Sequence, residues 1–484
     1  MGHIKTLQAL INDDAVCRYA SALNGGRKCR VVHATSCEEA MTGGSHYNAP
    51  ILFDDASPPW LLRVRRFAHR FHPDLDPLAD QELMTEYATL KFLETTTVPT
   101  PRAFGIGLRS RGPGANHGVG LSFMLIEKLP GKTWRDGGGV LPTDRNHKRK
   151  EENLWNDYAE ILAELARHPF LKIGSLTCEL PPIGAPPTTE VGPISVASMP
   201  GAFNVLDPWG PFDDAEDYYH SFIEHMMGLI SDGELYCDYP VDAYLAYRFL
   251  YDNVHQLLDT DDSRIRKANA RNNKSKSKSK SNAQEKIPKS KPEQPPGPES
   301  AKEQFYLKHP DDAGHHLLGD ANLRITGIID WELTRVVPAR EAFGPSAVTA
   351  DLLTARGMWG RDPTSSAGIT ARDEALAEAL EKKRGGGPLA ELMRGDEKAR
   401  RFFRGLMFEY DWEPEGRYAA EGLLDAFGVK GVGWEEWKAG GAMAWYLKTD
   451  ERLRRLKRLD GARRARPDGH YLRDLGRKRK REED

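Results

Sequence analysis

The sequence predicts an α+β fold in which a small, sheet-rich lobe precedes a larger and mostly helical lobe. Two observations support this order. Short apolar runs bounded by turn residues, the pattern of β-strands, are concentrated before about residue 130. Apolar residues at helical spacing dominate the later part of the chain. A chain of 484 residues with 39% hydrophobic residues can also build a large core, which excludes disorder throughout.

The first lobe contains a predicted hairpin, a helix and a buried strand. Two apolar runs flank a turn-rich stretch within Pro50–Arg65, which indicates a β-hairpin. Helical spacing from Asp80 to about Thr95 predicts a helix, and the prolines of Val98–Pro101 then impose extended backbone. Leu121–Lys128 is mostly apolar and has the length of a buried strand.

Helices predominate in the second part of the chain. Apolar residues recur at intervals of three and four in four segments: Trp155–Leu165, Tyr218–Ile230, Val241–Leu258 and Arg400–Tyr410. A second hairpin is predicted among them. Its strands are Leu317–Leu318 and Ile325–Ile329, and the turn Gly319–Asn322 between them is rich in Gly, Asp and Asn.

Composition and charge exclude several classes of protein. Lys and Arg total 68 and Asp and Glu total 71, a net charge of −3, so there is no overall basic field of the kind that attracts nucleic acid. No apolar run approaches the ~20 residues that a membrane helix needs, and the first 30 residues lack the pattern of a signal peptide. Five scattered cysteines without a CxxC pair argue for a reducing compartment, and we expect a cytoplasmic protein.

Two segments have the composition of solvated, disordered chain. Residues 263–304 contain no aromatic residue and include the Lys/Ser alternation of Lys274–Ser281 and the Pro-rich Pro288–Pro298. The C-terminal tail carries RKRKR at Arg477–Arg481, which fits either a nuclear signal or a solvated tail. The predicted organisation is a small lobe at 1–127, a large lobe at 128–262 and 305–460, a disordered insertion at 263–304 and a basic tail at 461–484.

One glutamate of the first predicted helix lies on its apolar face. Three leucines share that face: Leu83, Leu90 and Leu93. Glu86 falls among them, and a buried carboxylate without a cationic partner costs several kcal/mol. Arg63 of the preceding strand points to the opposite face from Leu62 and Val64 and is the candidate partner. The alternative is that Glu86 lies at the edge of the stripe and is solvated.

A second group of polar residues surrounds the predicted 317–329 hairpin. Asp311 precedes its first strand, Asp330 follows its second, and His309 lies near the first acid. This order would bring two carboxylates and an imidazole to one end of the hairpin. Phosphoryl transfer needs such an arrangement, because one carboxylate accepts the proton of the acceptor hydroxyl and another holds Mg²⁺. The alternatives are ordinary loop histidines and a strand-end aspartate. The histidine spacing does not match a standard zinc motif.

These residues resemble the catalytic core of the aminoglycoside phosphotransferase (choline kinase-like) family, in particular its fungal branch. The resemblance implies a bilobed protein-kinase-like fold with an antiparallel-sheet N-lobe and a mostly helical C-lobe. The catalytic loop of that family, H-x-D-x-x-x-x-N, corresponds to His309, Asp311 and His316, which implies that Asp311 is the catalytic base. The family's I-I-D-W-E segment corresponds to Ile328–Glu332, with Asp330 as the Mg²⁺ ligand.

The resemblance extends over roughly residues 30–460, apart from the insertion. Phe123–Gly131 resembles the hinge between the lobes, which implies that backbone groups of Glu127, Lys128 and Leu129 bind adenine. Arg63 and Glu86 would then hold the nucleotide phosphates. The best candidate for a phosphate-cradling turn is Thr42–Ser45, with Gly43 and Gly44 at its centre.

Three features depart from the family's pattern. The phosphate-cradling loop is degenerate, and a plain hairpin loop accounts for Thr42–Ser45 equally well. His316 replaces the Asn that binds a second metal ion, and Mg²⁺ prefers oxygen ligands. Arg63 stands where kinases carry Lys, and Arg grips phosphate differently from a compact ammonium. Two functions are therefore predicted. The first is a kinase that transfers the γ-phosphate of ATP, with Mg²⁺, to a hydroxyl of an unidentified small molecule. The second is a pseudokinase that acts as a nucleotide-binding or scaffold module.

Overall fold

The structure is a computed structural model, and it describes thirteen stretches of the chain. They are residues 2–36, 41–42, 46–65, 76–112, 114–133, 147–179, 187–195, 209–258, 303–309, 314–346, 348–349, 369–404 and 416–464. The sheet-rich part lies first and the helix-rich part follows, so the predicted α+β class is confirmed. None of the helices within these stretches is long and apolar enough to span a membrane.

An antiparallel sheet of six strands forms the small lobe. Its strands are β1 (Cys29–Val31), β2 (Met41–Thr42), β3 (His46–Phe53), β4 (Trp60–Arg65), β5 (Ala103–Gly107) and β6 (Phe123–Glu127). Their order across the sheet is β1–β3–β4–β6–β5, with β2 paired to the other end of β3. The predicted hairpin is β3 and β4, joined at residues 54–59, and the predicted strand at 121–128 is β6.

Each face of the sheet belongs to a different apolar core. Along β6, Phe123 and Leu125 pack into one core, and Met124 and Ile126 pack into the other. This division follows from the alternation of side chains along a strand. The first core is covered by two N-terminal helices, α1 (Gly2–Ala9) and α2 (Asp13–Leu23). The second core is continuous with that of the large lobe, so one face of the small lobe is anchored to it.

The helix that carries Glu86 packs against this second face. It is α3 (Asp76–Leu93), which begins four residues before the predicted start and ends two residues before the predicted end. The Pro-rich segment after it is held against the large lobe, because Ile328 N–H donates to the Pro99 carbonyl at 2.7 Å. This contact fixes α3 relative to the hairpin that precedes Asp330.

The described residues of the large lobe contain three small sheets. Their strands are β7 (Lys132–Thr133), β8 (Ser175–Cys178), β9 (Thr189–Gly192), β10 (Phe305–Lys308), β11 (Leu317–Gly319), β12 (Ile325–Ile328) and β13 (Arg335–Pro338). β7, β11 and β12 form one sheet, β8 pairs with β9, and β10 pairs with β13, all antiparallel. The predicted 317–329 hairpin is β11 and β12. The hinge strand β7 adds to its edge and ties the two lobes together.

Helices make up most of the large lobe. They are α4 (His147–Leu165), α5 (Ala215–Ser231), α6 (Pro240–Asp252), α7 (Ala339–Phe343), α8 (Ala371–Glu381), α9 (Gly387–Met393), α10 (Lys398–Arg404), α11 (Arg417–Ala426), α12 (Trp434–Trp437), α13 (Met443–Thr449) and α14 (Glu451–Arg464), with a π-helical turn at Lys438–Ala442. The helix predicted at 241–258 ends earlier, at Asp252, where Asn253 caps it. The helix predicted at 400–410 is α10, and residues 405–410 lie outside the described residues.

Two predicted segments, the tail from residue 461 and the insertion at 263–304, can be compared with the described residues. α14 continues to Arg464, so the first four residues of the predicted tail, 461–464, are helical. Residues 259–302, most of the predicted insertion, lie outside the described residues. The chain on both sides of them meets the same short helix α7. Arg340 donates to the carbonyls of Gln256 and Leu257, each at 3.0 Å, and Lys308 Nζ donates to the Glu341 carbonyl at 2.7 Å.

Candidate active site between the lobes

Arg63 connects the two lobes. From the central strand β4, its Nε donates to Glu86 Oε2 of α3 at 2.9 Å, and its Nη2 contacts Asp330 Oδ1 of the large lobe. Arg63 and Glu86 are buried. The strand directs Arg63 away from the core that holds Leu62 and Val64, because alternate side chains face opposite sides of the sheet. The guanidinium therefore lies between one carboxylate of each lobe.

A second set of the same residue types lies beside the first. Arg65 lies two residues further along β4, on the same face as Arg63. Arg65 Nη1 contacts Glu82 of α3, one helical turn before Glu86, and Glu332 of the large lobe, two residues after Asp330. We call these six side chains the interlobe ion cluster. Its members are Arg63, Arg65, Glu82, Glu86, Asp330 and Glu332.

Burial changes the protonation of these carboxylates. Burial, helped by the charges of Asp330 and Glu332, raises the pKa of Glu86 to about 7 although Arg63 opposes the shift. Burial likewise raises the pKa of Glu82 and of Glu332 above their ordinary values, against the effect of Arg65. Asp330 differs because its side chain is 52% exposed. Burial acts to raise its pKa too, but the Arg63 guanidinium outweighs this and holds the pKa below 3.8. Asp330 is thus a carboxylate at neutral pH.

His46 contributes an imidazole to the same place. It begins β3, directly opposite Arg65 in the β3–β4 register, and its Nδ1 lies 3.3 Å from Glu332 Oε2. Only 3% of His46 is exposed. Burial and the charges of Arg63 and Arg65 keep the pKa of His46 well below 6.5. One donor atom each from His46, Asp330 and Glu332 lie within 4.8 Å of one another.

The backbone around Asp330 is held in an unusual conformation. Asp330 has a φ of 67°, in the left-handed region that side-chain-bearing residues rarely adopt. The next residue anchors this turn, because the buried Trp331 donates its indole Nε1–H to the Ile328 carbonyl at 3.0 Å. Thr334 Oγ1 in turn donates to the Trp331 carbonyl at 2.7 Å. The turn directs the Asp330 carboxylate out of the core and toward Arg63.

His309 and His316 pack against the backbone that precedes Asp330. Their rings stack at 4.0 Å with an interplanar angle of 15°, and both residues are buried. His309 Nε2 is 3.0 Å from the Ile329 carbonyl, and Ile329 N–H donates to the His316 carbonyl at 3.0 Å. Both histidines therefore contact the residue that precedes Asp330. This geometry suits a positioning role for His309, whereas its predicted catalytic role and the predicted metal ligation by His316 remain predictions.

Three of the predicted site residues lie outside the described residues. Asp311 is one of them, between the described His309 and Gly314. The others are Gly43 and Gly44 of the predicted phosphate-cradling turn. The strands on either side of these glycines pair with each other, with Thr42 opposite Tyr47. The roles predicted for the three residues stay predictions.

The hinge presents fewer free donors than the sequence predicts. Glu127 N–H donates to the Arg102 carbonyl at 2.9 Å, and Lys128 N–H donates to the Pro59 carbonyl at 3.3 Å. Both amides are therefore engaged within the small lobe. The Leu129 N–H has no hydrogen-bond acceptor within the described part of the chain. Of the three hinge residues predicted to meet adenine, Leu129 is the one whose N–H can donate to a ligand.

Close contacts with the large-lobe hairpin fix the position of the hinge. The Leu129 side chain lies directly over Gly327 of β12, where a Cβ would collide with it. Two residues further on, Gly131 has a φ of 110°, and a Cβ there would collide with Thr326 Oγ1. Thr326 Oγ1 also donates to the Pro130 carbonyl at 2.7 Å. The left-handed backbone makes glycine necessary at residue 131, and a side chain at residue 327 would force the Leu129 side chain to move.

The sequence alone does not assign a role in this ion cluster to four residues of the site. They are His46, Glu82, Arg65 and Glu332. Three of them repeat a predicted residue at the period of its element: Arg65 is two after Arg63 on a strand, Glu82 is four before Glu86 on a helix, and Glu332 is two after Asp330. That repetition is a signal in the sequence. His46 carries no comparable signal, because only the β3–β4 register brings it to the cluster.

A family model for the phosphotransferase enzyme family (APH) matches residues 52–362, which is more than half of the 484-residue chain. The match includes the residues of the interlobe ion cluster and confirms the resemblance stated from the sequence. The predicted assignment to a fungal branch remains a prediction. No curated protein matches the sequence.

The chain is also similar to solved structures. One is a macrolide 2′-phosphotransferase type I, with 15% identity and a TM-score of 0.38 over 87% of this chain and 98% of that one. Another is the apoenzyme of a macrolide 2′-phosphotransferase from Brachybacterium faecium, with 15% identity and a TM-score of 0.35 over 85% of this chain and 98% of that one.

Proposed function

The chain belongs to the phosphotransferase enzyme family, and on that premise we propose that it transfers the γ-phosphate of ATP to a hydroxyl of a small molecule. In this proposal Asp311 is the catalytic base, and Asp330 holds a Mg²⁺ ion against the nucleotide phosphates. The observation that carries the proposal is the contact of Arg63 with Glu86 in one lobe and Asp330 in the other. Phosphoryl transfer depends mainly on positioning and charge stabilisation, and this contact supplies both at the junction of the lobes.

The donor atoms at the junction fit a divalent cation. The Asp330 and Glu332 carboxylates lie close together, and hard cations such as Mg²⁺ bind oxygen. A bound Mg²⁺ would neutralise the phosphates and stabilise the charge that develops on the transferred group. Asp330 is half-exposed and ionised at neutral pH, so it is accessible to such an ion.

Four further residues have separate tasks in the proposal. Arg63, held by Glu86, presents its guanidinium to the phosphates. The free N–H of Leu129 donates to the adenine ring, and the Leu129 side chain packs on Gly327 beneath it. His309 fixes the carbonyl before Asp330 and so orients that carboxylate. Asp311 accepts the proton of the acceptor hydroxyl as the hydroxyl oxygen attacks the γ-phosphorus.

Thermal unfolding with nucleotide tests the binding half of the proposal. ATP at ~100 times its dissociation constant stabilises a binding protein by about 2.7 kcal/mol. We expect this stabilisation with Mg²⁺ and its loss in Asp330→Asn. Asn tolerates the left-handed backbone of Asp330, so the variant should fold. Asp213→Asn, a change in an exposed surface pair, is the control. Stabilisation that Asp330→Asn leaves unchanged would contradict the proposed metal site.

ADP release with a library of hydroxyl compounds tests the catalytic half. We expect turnover with at least one class of small hydroxyl compound, and we expect Asp311→Asn to abolish it while keeping nucleotide-dependent stabilisation. A variant that loses both would show that Asp311 acts in binding rather than as a base. Full turnover by Asp311→Asn would remove Asp311 from the mechanism.

Two contacts favour the second predicted function, a nucleotide-binding or scaffold module without catalysis. Arg63 neutralises Asp330 directly, and Arg65 neutralises Glu332, so the carboxylates that would bind a metal ion already have cationic partners. A scaffold would keep these contacts when nucleotide is added. Nucleotide binding that does not depend on a divalent cation, with no turnover across the library, would support this function over the kinase.

A further inference from the structure

His46 lies among carboxylates that belong to the other lobe. One donor atom each from His46, Asp330 and Glu332 fall within 4.8 Å of one another, close enough for a single ion to contact all three. The imidazole is buried, and its Nδ1 is 3.3 Å from Glu332 Oε2. His46 is the first residue of β3 in the small lobe, whereas both acids follow β12 in the large lobe.

Each arginine contacts one carboxylate oxygen of its partner, so the other oxygen of Asp330 and of Glu332 can bind a metal ion. Arg63 contacts Oδ1 of Asp330, and Arg65 contacts Oε1 of Glu332. The second oxygen of Glu332 is the one that faces His46. The interlobe ion cluster also has four carboxylates against two guanidinium groups. A dication bound there would therefore be surrounded by more carboxylate than guanidinium groups.

We propose that His46 is a metal ligand and that, with Asp330 and Glu332, it forms a mixed nitrogen–oxygen site for a first-row transition-metal dication. The inference rests on the proposed function in one respect: both require Asp330 to bind a metal ion. An imidazole ligand favours Mn²⁺ and later ions of the series over Mg²⁺, which prefers oxygen throughout. The site therefore predicts that the protein selects Mn²⁺ over Mg²⁺.

The site also joins the two lobes. His46 lies at the start of β3 and is paired with Arg65 of β4, so an ion held by His46 and the two acids links the start of β3 in the small lobe to the turn after β12. Metal binding should then hold the lobes together even without nucleotide. This property allows the metal site to be measured separately from catalysis.

The experiment uses the full chain with Mn²⁺ as the probe and no nucleotide. Titration followed by electron paramagnetic resonance gives the Mn²⁺ affinity, and pulsed measurements detect a directly bonded nitrogen. We expect a nitrogen coupling in the wild-type protein. This measurement does not depend on the folding of any variant. We expect His46→Gln to lose the coupling and to weaken Mn²⁺ binding by about tenfold or more, and Mg²⁺ binding by less. His255→Gln, a change of an exposed large-lobe histidine, should leave the nitrogen coupling and the Mn²⁺ affinity unchanged.

A third variant, His316→Gln, distinguishes the two candidate imidazoles. Loss of the nitrogen coupling in His46→Gln but not in His316→Gln supports the inference. Loss in His316→Gln alone overturns it, because the imidazole would then come from the large lobe. Mn²⁺ binding that requires Asp330 but shows no nitrogen coupling also overturns it, while leaving the proposed function intact. Mn²⁺ binding that is unchanged in Asp330→Asn would contradict both this inference and the metal-binding role of Asp330 in the proposed function.

Discussion

Arg63 and Asp330 lie 267 positions apart in the sequence and are in direct contact across the junction of the two lobes. The contact places a guanidinium from the central strand of the small lobe on the carboxylate that the family resemblance assigns to metal binding. Because Glu86 holds the same guanidinium from the other side, the position of Asp330 depends on α3 as well as on its own turn.

Removing Arg63 should strongly destabilise the protein. Arg63→Gln leaves Glu86 buried without its partner, and breaking a buried pair in this way costs roughly 3–5 kcal/mol. Urea denaturation measures the loss. The control is Arg102→Gln, because Arg102 is mostly exposed and pairs with Glu127 at the surface, where such pairs contribute about 1 kcal/mol or less. Equal losses in the two variants would show that the interlobe contact adds nothing to stability.

The stability of the metal-free protein should fall as pH rises through neutrality. Burial raises the pKa of Glu82 above its unfolded value of 4.5. Between 4.5 and the raised pKa the folded state therefore binds more protons than the unfolded state, and the free energy of unfolding decreases with pH. Urea denaturation in a chelator at pH 5.5, 7 and 8.5 measures this slope.

A matched pair of variants assigns that slope to the cluster. Glu82 faces Arg65, Glu332 and Glu86, so Glu82→Gln should make the slope shallower, and Glu86, whose pKa is also raised, accounts for the part that remains. Glu378→Gln changes an exposed glutamate of α8 and should leave the dependence as it is. A slope that is as steep in Glu82→Gln as in the wild-type protein would show that Glu82 does not take up the proton.

The hinge glycine Gly131 should tolerate no side chain. Gly131→Ala combines a left-handed backbone with a Cβ that collides with Thr326 and lies 3.1 Å from the Gly319 carbonyl. Gly428 has a similar φ of 95°, but a Cβ there meets open space. Gly428→Ala should cost about 1–2 kcal/mol for the backbone alone, and Gly131→Ala should cost clearly more in urea denaturation. Similar costs would show that the hinge moves aside freely.

The basic tail should not determine where the protein is found. Short Lys/Arg clusters arise readily in solvated tails, and the net charge of the chain is −3. We expect a fluorescent fusion that lacks residues 465–484 to show the same cytoplasmic distribution as the full chain. Loss of a nuclear fraction on deletion would instead identify the tail as a nuclear signal.

Local sequence patterns predicted the elements that carry the site, and the long-range register completed it. The β3–β4 hairpin, α3, β6 and the β11–β12 hairpin each have a clear apolar period, and all of them are present. Arg63 and Glu86 could be paired because each stands out as a charge beside an apolar stripe. The helix α2 was not predicted, since it is short and its main local signal is the Asn12 cap, which accepts from Ala15 N–H. His46 and the engaged amides of the hinge depend on which strands lie side by side, and no local pattern contains that information.

The attachment of both flanks of residues 259–302 to α7 suggests where the polypeptide can be divided. Arg340 holds the chain before this interval, and the Glu341 carbonyl accepts from Lys308 just after it. Each flank is fixed by its own hydrogen bonds, so covalent continuity between them should be dispensable. Fragments ending at residue 258 and starting at residue 303 should reassemble when produced together, which would make this protein a natural candidate for a split reporter.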